Sequence, residues 1–196
     1  MKMGTAGEIH VLGWDWFRIH FTENEGMAFG MTFGGDYGKI ALSLLRIVAI
    51  GFIVYYIRKL IQKQASYGLL ACMALIFAGA LGNVIDSAFY GLIFSQSNYN
   101  TVATVVPFGE GYAPFLFGKV VDMFYFPMYE GTFPSWFPFW SGKNFTFFSG
   151  IFNIADAAIS MGIFFMIIYY RRFFKDPSNG AVDSAVIESL DDSDEE

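Results

Sequence analysis

The sequence has few of the side chains that build disulfides and metal centres. It contains one cysteine, Cys72, inside an apolar segment, and two histidines, His10 and His20, that stand apart from each other. A single cysteine excludes an intramolecular disulfide, and isolated histidines give little support to a metal site. We also find no phosphate-binding loop, no Ser-His-Asp set and no basic patch for nucleic acid. The sequence therefore implies no cofactor and no nucleic-acid partner.

Apolar and aromatic residues, in contrast, are in excess. Of the 196 residues 55% are hydrophobic, and 24 are phenylalanine. One small soluble core cannot bury so much apolar surface, so the composition favours a membrane protein. The net charge of −6 comes from the end of the chain, because eight of the 18 acidic residues lie from Asp176 onward without a base among them. We expect residues 171–196 to form a cytoplasmic, disordered acidic tail.

Three segments are long and apolar enough to cross a bilayer, which takes roughly 20 residues. They are residues 40–57, 67–86 and 148–170. Basic residues lie in the link 58–66, at Arg58, Lys59 and Lys63, and after the third segment, at Arg171, Arg172 and Lys175. The positive-inside rule places both clusters in the cytoplasm. Residues 1–39 and 87–147 are then external.

Both external segments contain strand patterns. In "FRIHFT", from Phe17 to Thr22, apolar and polar residues alternate, and "KVVDMFYF", from Lys119 to Phe126, is rich in β-branched and aromatic residues. The following "FPMYEGTFPSWFPFW" has the aromatic composition of a membrane–water interface. We predict a mainly α polytopic membrane protein with a small external antiparallel β-sheet that lies on the membrane surface.

Polar residues inside the apolar segments need an explanation, because ionisable groups in a membrane are costly and usually functional. Asn153 and Asp156 are spaced i, i+3, which predicts one shared helical face. If the helix begins near Ile151, Asp156 lies about five residues in, or about 8 Å along the helix axis. A structural pairing of Asp156 with Arg46 is the alternative explanation.

Two further aspartates lie near the same outer boundary. Asp86 follows Asn83 with the same i, i+3 spacing, although such residues near a helix end commonly cap it. Asp122 interrupts an apolar strand pattern. Two carboxylates held together share a proton, so that one can activate water while the other polarises a carbonyl. The pattern predicts hydrolysis by an aspartate pair, and spacing alone leaves open which two of the three form it.

Four motifs together resemble the lipoprotein signal peptidases, or type II signal peptidases. They are "TENEGMAFG" (22–30), "GNVID" (82–86), "KVVDMF" (119–124) and "FNIADAAIS" (152–160), in the order typical of that family. The aromatic insertion between Gly91 and Lys119 is similar to that of Bacteroidetes-type members. The resemblance covers roughly residues 21–170.

The resemblance implies an aspartic endopeptidase that cuts prolipoproteins just before the diacylglyceryl-modified cysteine. Asp122 and Asp156 fall on the family's catalytic positions. Supporting or substrate-positioning roles fall on Asn24, Gly26, Asn83 and Asn153, and Asp86 becomes structural. The external sheet would clamp the extended peptide and an apolar groove between the spans would take the lipid.

The family likeness also implies partners and a location. Lipidated prolipoproteins and membrane lipids are the expected partners, without metal or organic cofactor, and we expect a monomer. The expected location is the bacterial inner membrane, with the active site on its outer, periplasmic side.

Two departures from the family pattern stand out. Ser87 occupies the position where "GNxxDR" usually has an arginine. The family normally has four spans, whereas this sequence opens at "MKMGTAGEIH", about where the first span would end. We therefore expect a preceding helix to be missing from this form of the chain, which leaves its activity in question.

Two other functional classes fit the same residues. Arg46, Asp86 and Asp156 could line an ion path in a small channel or proton-coupled transporter, although three spans are few and no inverted repeat is visible. A non-catalytic membrane scaffold, a degenerate relative of the peptidases, is the second alternative.

Overall fold

The computed structural model describes residues 7–25, 35–98 and 101–169, so Gly26 and the acidic tail lie outside the described residues. The described part is mainly helical, with short strands between the helices. In chain order the elements are β1 (Ile9–His10), β2 (Arg18–Asn24), α1 (Gly35–Gln62), α2 (Tyr67–Ile93), β3 (Val120–Tyr125), β4 (Tyr129–Thr132), β5 (Asn144–Phe147), β6 (Ile151–Phe152) and α3 (Ile154–Ile168).

Helices α1 and α2 are long and apolar enough to cross a membrane. Large apolar side chains cover the outside of α1, where Leu45 is 65% and Phe52 is 69% exposed. Such a surface suits lipid, and few soluble monomers expose one as large. A tight connection joins the two helices, and the Ser66 hydroxyl caps α2 by accepting the Leu69 N–H at 3.4 Å. Helix α2 continues to Ile93, so residues 87–93 of the predicted external loop are helical.

The third apolar segment, residues 148–170, does not begin as a helix. Residues Ile151–Phe152 form strand β6, which pairs with β3, and the helix begins only at Ile154. The side chain of Asn153 caps that helix. The backbone of Asn153 is extended and its side chain caps the helix, so this one residue separates the end of β6 from the start of α3. Helix α3 is therefore a shorter apolar helix of 15 residues in the described part of the chain.

The antiparallel sheet that the sequence predicts is confirmed. Strands β1, β2, β3 and β6 form one sheet in that order, and β4 and β5 form a separate hairpin. The predicted "FRIHFT" and "KVVDMFYF" segments become the central strands β2 and β3. Their register shifts between Ile19 and Thr22, where β2 contains a bulge.

Small residues allow α2 and α3 to pack with their backbones in close contact. A Cβ atom on Gly79 would clash with the backbone carbonyl of Ala155, and one on Gly162 would lie 2.7 Å from the Cys72 carbonyl oxygen. Close approach through glycine and alanine is typical of helix pairs in membranes. This packing fixes the start of α3 against the middle of α2.

We predict that Gly79→Ala destabilises the protein by about 1–3 kcal/mol, because the added methyl overpacks a contact with the α3 backbone. Thermal unfolding in detergent measures the change. Gly51→Ala in α1 is the matched control, since nothing lies within 4 Å of a Cβ built there. Equal effects of the two substitutions would contradict this packing.

Candidate active site

Asp122 lies in the middle of β3 and is buried. Its partner across the ladder is Thr22 of β2, and its exposed fraction is only 3%. Side chains alternate between the two faces of a strand, so Asp122 faces away from Val121 and Met123. A carboxylate this buried needs hydrogen-bond donors to offset the loss of water.

Two asparagines supply those donors, one to each carboxylate oxygen. The side-chain amide of Asn24, at the end of β2, donates to Asp122 Oδ2 at 2.9 Å. The amide of Asn153 donates to Asp122 Oδ1 at 2.8 Å. Asn153 is itself 6% exposed. Asp122 is thus held between the neighbouring strand and the start of α3.

A capping box at the start of α3 positions Asp156. The Asn153 side-chain oxygen accepts the backbone N–H of Asp156 at 3.0 Å, and the Asp156 carboxylate accepts the backbone N–H of Asn153 at 3.4 Å. The Asn-x-x-Asp spacing is therefore a helix-start signal. The two residues contact each other, as the shared face predicts, but Asn153 precedes the helix and does not lie on it. Asp156 lies in the first turn rather than about five residues into the helix.

Asn83 of α2 connects the two aspartates. Its amide donates to Asp156 Oδ1 at 2.9 Å, and its side-chain oxygen accepts from Asn153 Nδ2 at 3.2 Å. Because Asn153 Nδ2 also donates to Asp122, hydrogen bonds run without a break from Asp122 through Asn153 and Asn83 to Asp156. We call this set the carboxylate–amide chain. Asn83 lies inside α2 and does not cap it, in contrast to the alternative that its sequence position suggests.

The electrostatic surroundings of Asp122 favour retention of its proton. Burial raises the pKa of the Asp122 carboxyl above its ordinary value, and the negative charge of Asp156 raises this pKa further. Hydrogen bonds from Asn24 and Asn153 and the positive charge of Arg46 act in the opposite direction.

Asp86 lies outside the carboxylate–amide chain, although it follows Asn83 closely in sequence. Its carboxyl group interacts with Tyr90, one turn further along α2. The neighbouring Ser87 is buried, and its carbonyl oxygen accepts the Gly118 N–H at 2.8 Å. The segment that returns to β3 therefore covers α2 at the position where an arginine was expected from the family pattern.

A cavity of about 590 Å³ lies beside this network, between α2, α3 and the sheet. Phe21, Glu23, Val121 and Met123 line it, which places it on the sheet face opposite to Asp122. Its other walls include small residues of the helices and the segment after α2. These are Ala78, Gly79, Gly82, Asp86, Tyr90, Phe94, Ser95, Val102, Ala103, Tyr112, Asn153, Ile154, Ala155 and Ala158. Asn153 belongs both to this lining and to the carboxylate–amide chain.

Five of the six residues assigned to the site from the sequence meet in one hydrogen-bonded network: Asn24, Asn83, Asp122, Asn153 and Asp156. The sixth, Gly26, lies outside the described residues. Within residues 7–25, 35–98 and 101–169, no group of three or more His, Cys, Asp or Glu side chains could hold a metal ion. Glu23 and Lys119 form an ion pair beside Asn24, and no motif or periodicity in the sequence assigns them to the site. Their pairing could be predicted only from the register of β2 against β3, which the sequence does not reveal.

The fold is that of a bacterial membrane enzyme. A solved structure of a bacterial membrane enzyme matches with a TM-score of 0.52 and 22% sequence identity, over 88% of this chain and 74% of that one. At that identity the match concerns the fold alone.

The sequence comparisons define the family. The model for "Signal peptidase (SPase) II" matches residues 1–172, so the chain belongs to the signal peptidase II family, which is a family of membrane proteases. The lipoprotein signal peptidase of Porphyromonas gingivalis is 50% identical over 167 residues, which are 85% of this chain and 72% of that protein. That of Amoebophilus asiaticus is 38% identical over 178 residues, 90% of this chain and 70% of that protein.

We predict that Asn83→Leu destabilises the protein by about 1–3 kcal/mol, because Asp156 Oδ1 loses its donor and Asn153 Nδ2 loses one of its two acceptors. Unfolding in detergent, followed by helical circular dichroism, measures the loss. Asn144→Leu is the control, since Asn144 is exposed on β5 and should change stability by less than about 0.5 kcal/mol. A loss at Asn144 as large as that at Asn83 would contradict a structural role for the amide link.

Proposed function

We propose that this protein is an aspartic endopeptidase that removes signal peptides from diacylglyceryl-modified bacterial prolipoproteins, cutting just before the lipidated cysteine. The observation that carries the proposal is the carboxylate–amide chain, which connects Asp122 and Asp156 through two buried amides. The relatives that are 50% and 38% identical are lipoprotein signal peptidases, which supports the substrate class.

The proposed reaction needs one proton shared by the two aspartates. The ionised carboxylate takes a proton from water, and the resulting hydroxide adds to the carbonyl carbon of the scissile peptide. The protonated carboxyl donates its proton to the carbonyl oxygen, so a neutral tetrahedral intermediate forms. When the C–N bond breaks, the amine of the departing cysteine takes a proton from one carboxyl group, and a hydroxyl of the intermediate returns its proton to the other carboxylate, so the pair again holds one proton. No covalent bond between enzyme and substrate is needed.

The side-chain amides that donate to the two aspartates each have a role in this mechanism. Asn24 and Asn153 fix both oxygens of Asp122, and Asn83 fixes one oxygen of Asp156. Donors that are already oriented need no rearrangement as charge moves between the carboxylates. We assign Asn24, Asn83 and Asn153 to positioning, and Asp122 and Asp156 to catalysis.

The position of the site supports cleavage at the outer membrane boundary. The basic residues Arg58, Lys59 and Lys63 lie where α1 joins α2, which the positive-inside rule places in the cytoplasm. Asn83 lies 16 residues after Tyr67, where α2 begins, which is about 24 Å along the helix. The proposed location is therefore the bacterial inner membrane, with the aspartates on the periplasmic side.

The cavity supports the choice of an apolar substrate segment. Small and apolar side chains of α2, α3 and the sheet form most of its wall. We propose that it takes an apolar part of the substrate, while the sheet holds the extended peptide. Prolipoprotein substrates and membrane lipids are the proposed partners, and a monomer stays a prediction.

We predict that Asp122→Asn and Asp156→Asn each lower kcat by at least about 100-fold, because each removes the proton acceptor or donor. Cleavage of a diacylglyceryl-modified prolipoprotein in detergent, followed by the mass of the released signal peptide, measures this loss. Asp15→Asn is the control, since the Asp15 side chain is 89% exposed. Unimpaired cleavage by either aspartate variant would overturn the proposed mechanism.

The pH dependence provides a separate test. The hydrogen bond from Asn24 lowers the pKa of Asp122, so Asn24→Ala should raise this pKa and keep Asp122 protonated to higher pH. The profile of kcat/KM against pH is then expected to move to higher pH, whichever aspartate is the acid. Asn144→Ala should leave the profile in place. A shift to lower pH would contradict the assigned role of Asn24.

A further inference from the structure

We infer that the Glu23–Lys119 ion pair locks the register of β2 against β3 and thereby positions Asn24 on Asp122. Glu23 is thus a positioning residue that acts through Asn24 and has no contact with the reacting atoms. This inference rests on the proposed function for its catalytic consequence, and its structural part can be tested without activity.

The ion pair joins the end of β2 to the start of β3. Lys119 Nζ lies 3.1 Å from Glu23 Oε2, and the Glu23 side chain is only 10% exposed. Lys119 also lies 3.7 Å from Glu25 Oε1, and Glu25 pairs with Lys39 of α1 at 2.5 Å. Because β2 ends at Asn24, these charges hold the strand where its ladder stops.

The register needs such a lock because β2 is bulged. Before the bulge, Arg18 pairs with Tyr125 and Ile19 with Phe124; after it, Thr22 pairs with Asp122 and Asn24 with Val120. Continuing the first register would pair residue 24 with residue 119 instead. A slip of one residue turns every side chain to the opposite face. Asn24 would then face away from Asp122, and Glu23 would face toward it.

Glu23 and Lys119 can pair only in the bulged register. Glu23 lies opposite Val121, so Lys119 is its diagonal neighbour on the same face. This face carries the cavity and is opposite to the face of Asp122. The ion pair therefore distinguishes the two registers from the side of the sheet away from the aspartates.

Two residues of the segment between α2 and β3 complete the lock. The Ser97 hydroxyl donates to Glu23 Oε1, and the Tyr112 hydroxyl accepts the backbone N–H of Lys119 at 2.6 Å. Both ends of the ion pair are thus fixed to the same covering segment. A fixed geometry lowers the entropic cost that makes exposed ion pairs weak.

The test compares Glu23→Gln and Lys119→Met with Lys119→Arg, which keeps the charge. Glu23→Gln preserves shape, so it should fold. The control is Glu8→Gln, which removes the charge that pairs with Arg18 at 3.4 Å and with His20 at 2.6 Å, both of which precede Thr22 on β2. Hydrogen exchange of the β2 amides in the full chain in detergent is measured first, followed by kinetics on the lipidated prolipoprotein.

We expect faster exchange at Thr22 to Asn24 in Glu23→Gln and Lys119→Met, and near-normal exchange there in Lys119→Arg and Glu8→Gln. In the first two variants kcat should fall about 10- to 100-fold. Because Glu23 also lines the cavity, the fall in kcat rather than a change in KM is the readout of positioning.

The pH profile separates positioning from general destabilisation. In Glu23→Gln and Lys119→Met the profile of kcat/KM against pH should move to higher pH, as in Asn24→Ala. The reason is that loss of the Asn24 hydrogen bond raises the pKa of Asp122. Arg46 of α1, Asp86 of α2 and Asp156 of α3 also act on Asp122 electrostatically, and none of them is altered.

Unchanged exchange at Thr22 to Asn24, or a pH profile that stays in place while kcat falls, would overturn the register lock. If the wild type shows no cleavage, the proposed function fails. The exchange measurement then decides the register lock by itself.

Discussion

The structure depends on the amide of Asn153, which allows the buried Asp122 and the half-buried Asp156 to belong to one hydrogen-bonded site. Its nitrogen donates to Asp122 and to Asn83, while its oxygen caps α3 through the backbone of Asp156. Buried carboxylates without such donors would lose the solvation of water without compensation. One residue therefore ends a strand, starts a helix and links both aspartates.

The packing of the molecule serves this arrangement. Asn83 reaches Asn153 and Asp156 because Gly79 and Gly162 bring the α2 and α3 backbones together. Asn24 reaches Asp122 because the bulge in β2 turns it to the correct face. Contacts among α2, α3, β2 and β3 thus bring together hydrogen-bonded residues that are far apart in sequence. The proposed catalysis would use the fixed geometry of these residues.

The cavity lies on the sheet face opposite to Asp122, and Asn153 borders both the cavity and the carboxylate–amide chain. This arrangement would separate the proposed binding of an apolar segment from the proposed acid–base chemistry. Glu23 and Lys119 lie on the cavity side of the sheet although they are charged. Their mutual pairing, with Ser97 and Tyr112, compensates their burial.

The sequence by itself determined the membrane class, the two long apolar helices and strands β2 and β3, because composition and periodicity are local properties. Its motifs also identified the family and proposed Asp122 and Asp156 over Asp86. Tertiary structure decided that Asn153 is a helix cap, since the sequence cannot distinguish i, i+3 positions on a helix from a capping box. It also decided the bulged register and the Glu23–Lys119 pair, whose members are 96 residues apart. Contacts at that separation arise only when the strands and helices pack together.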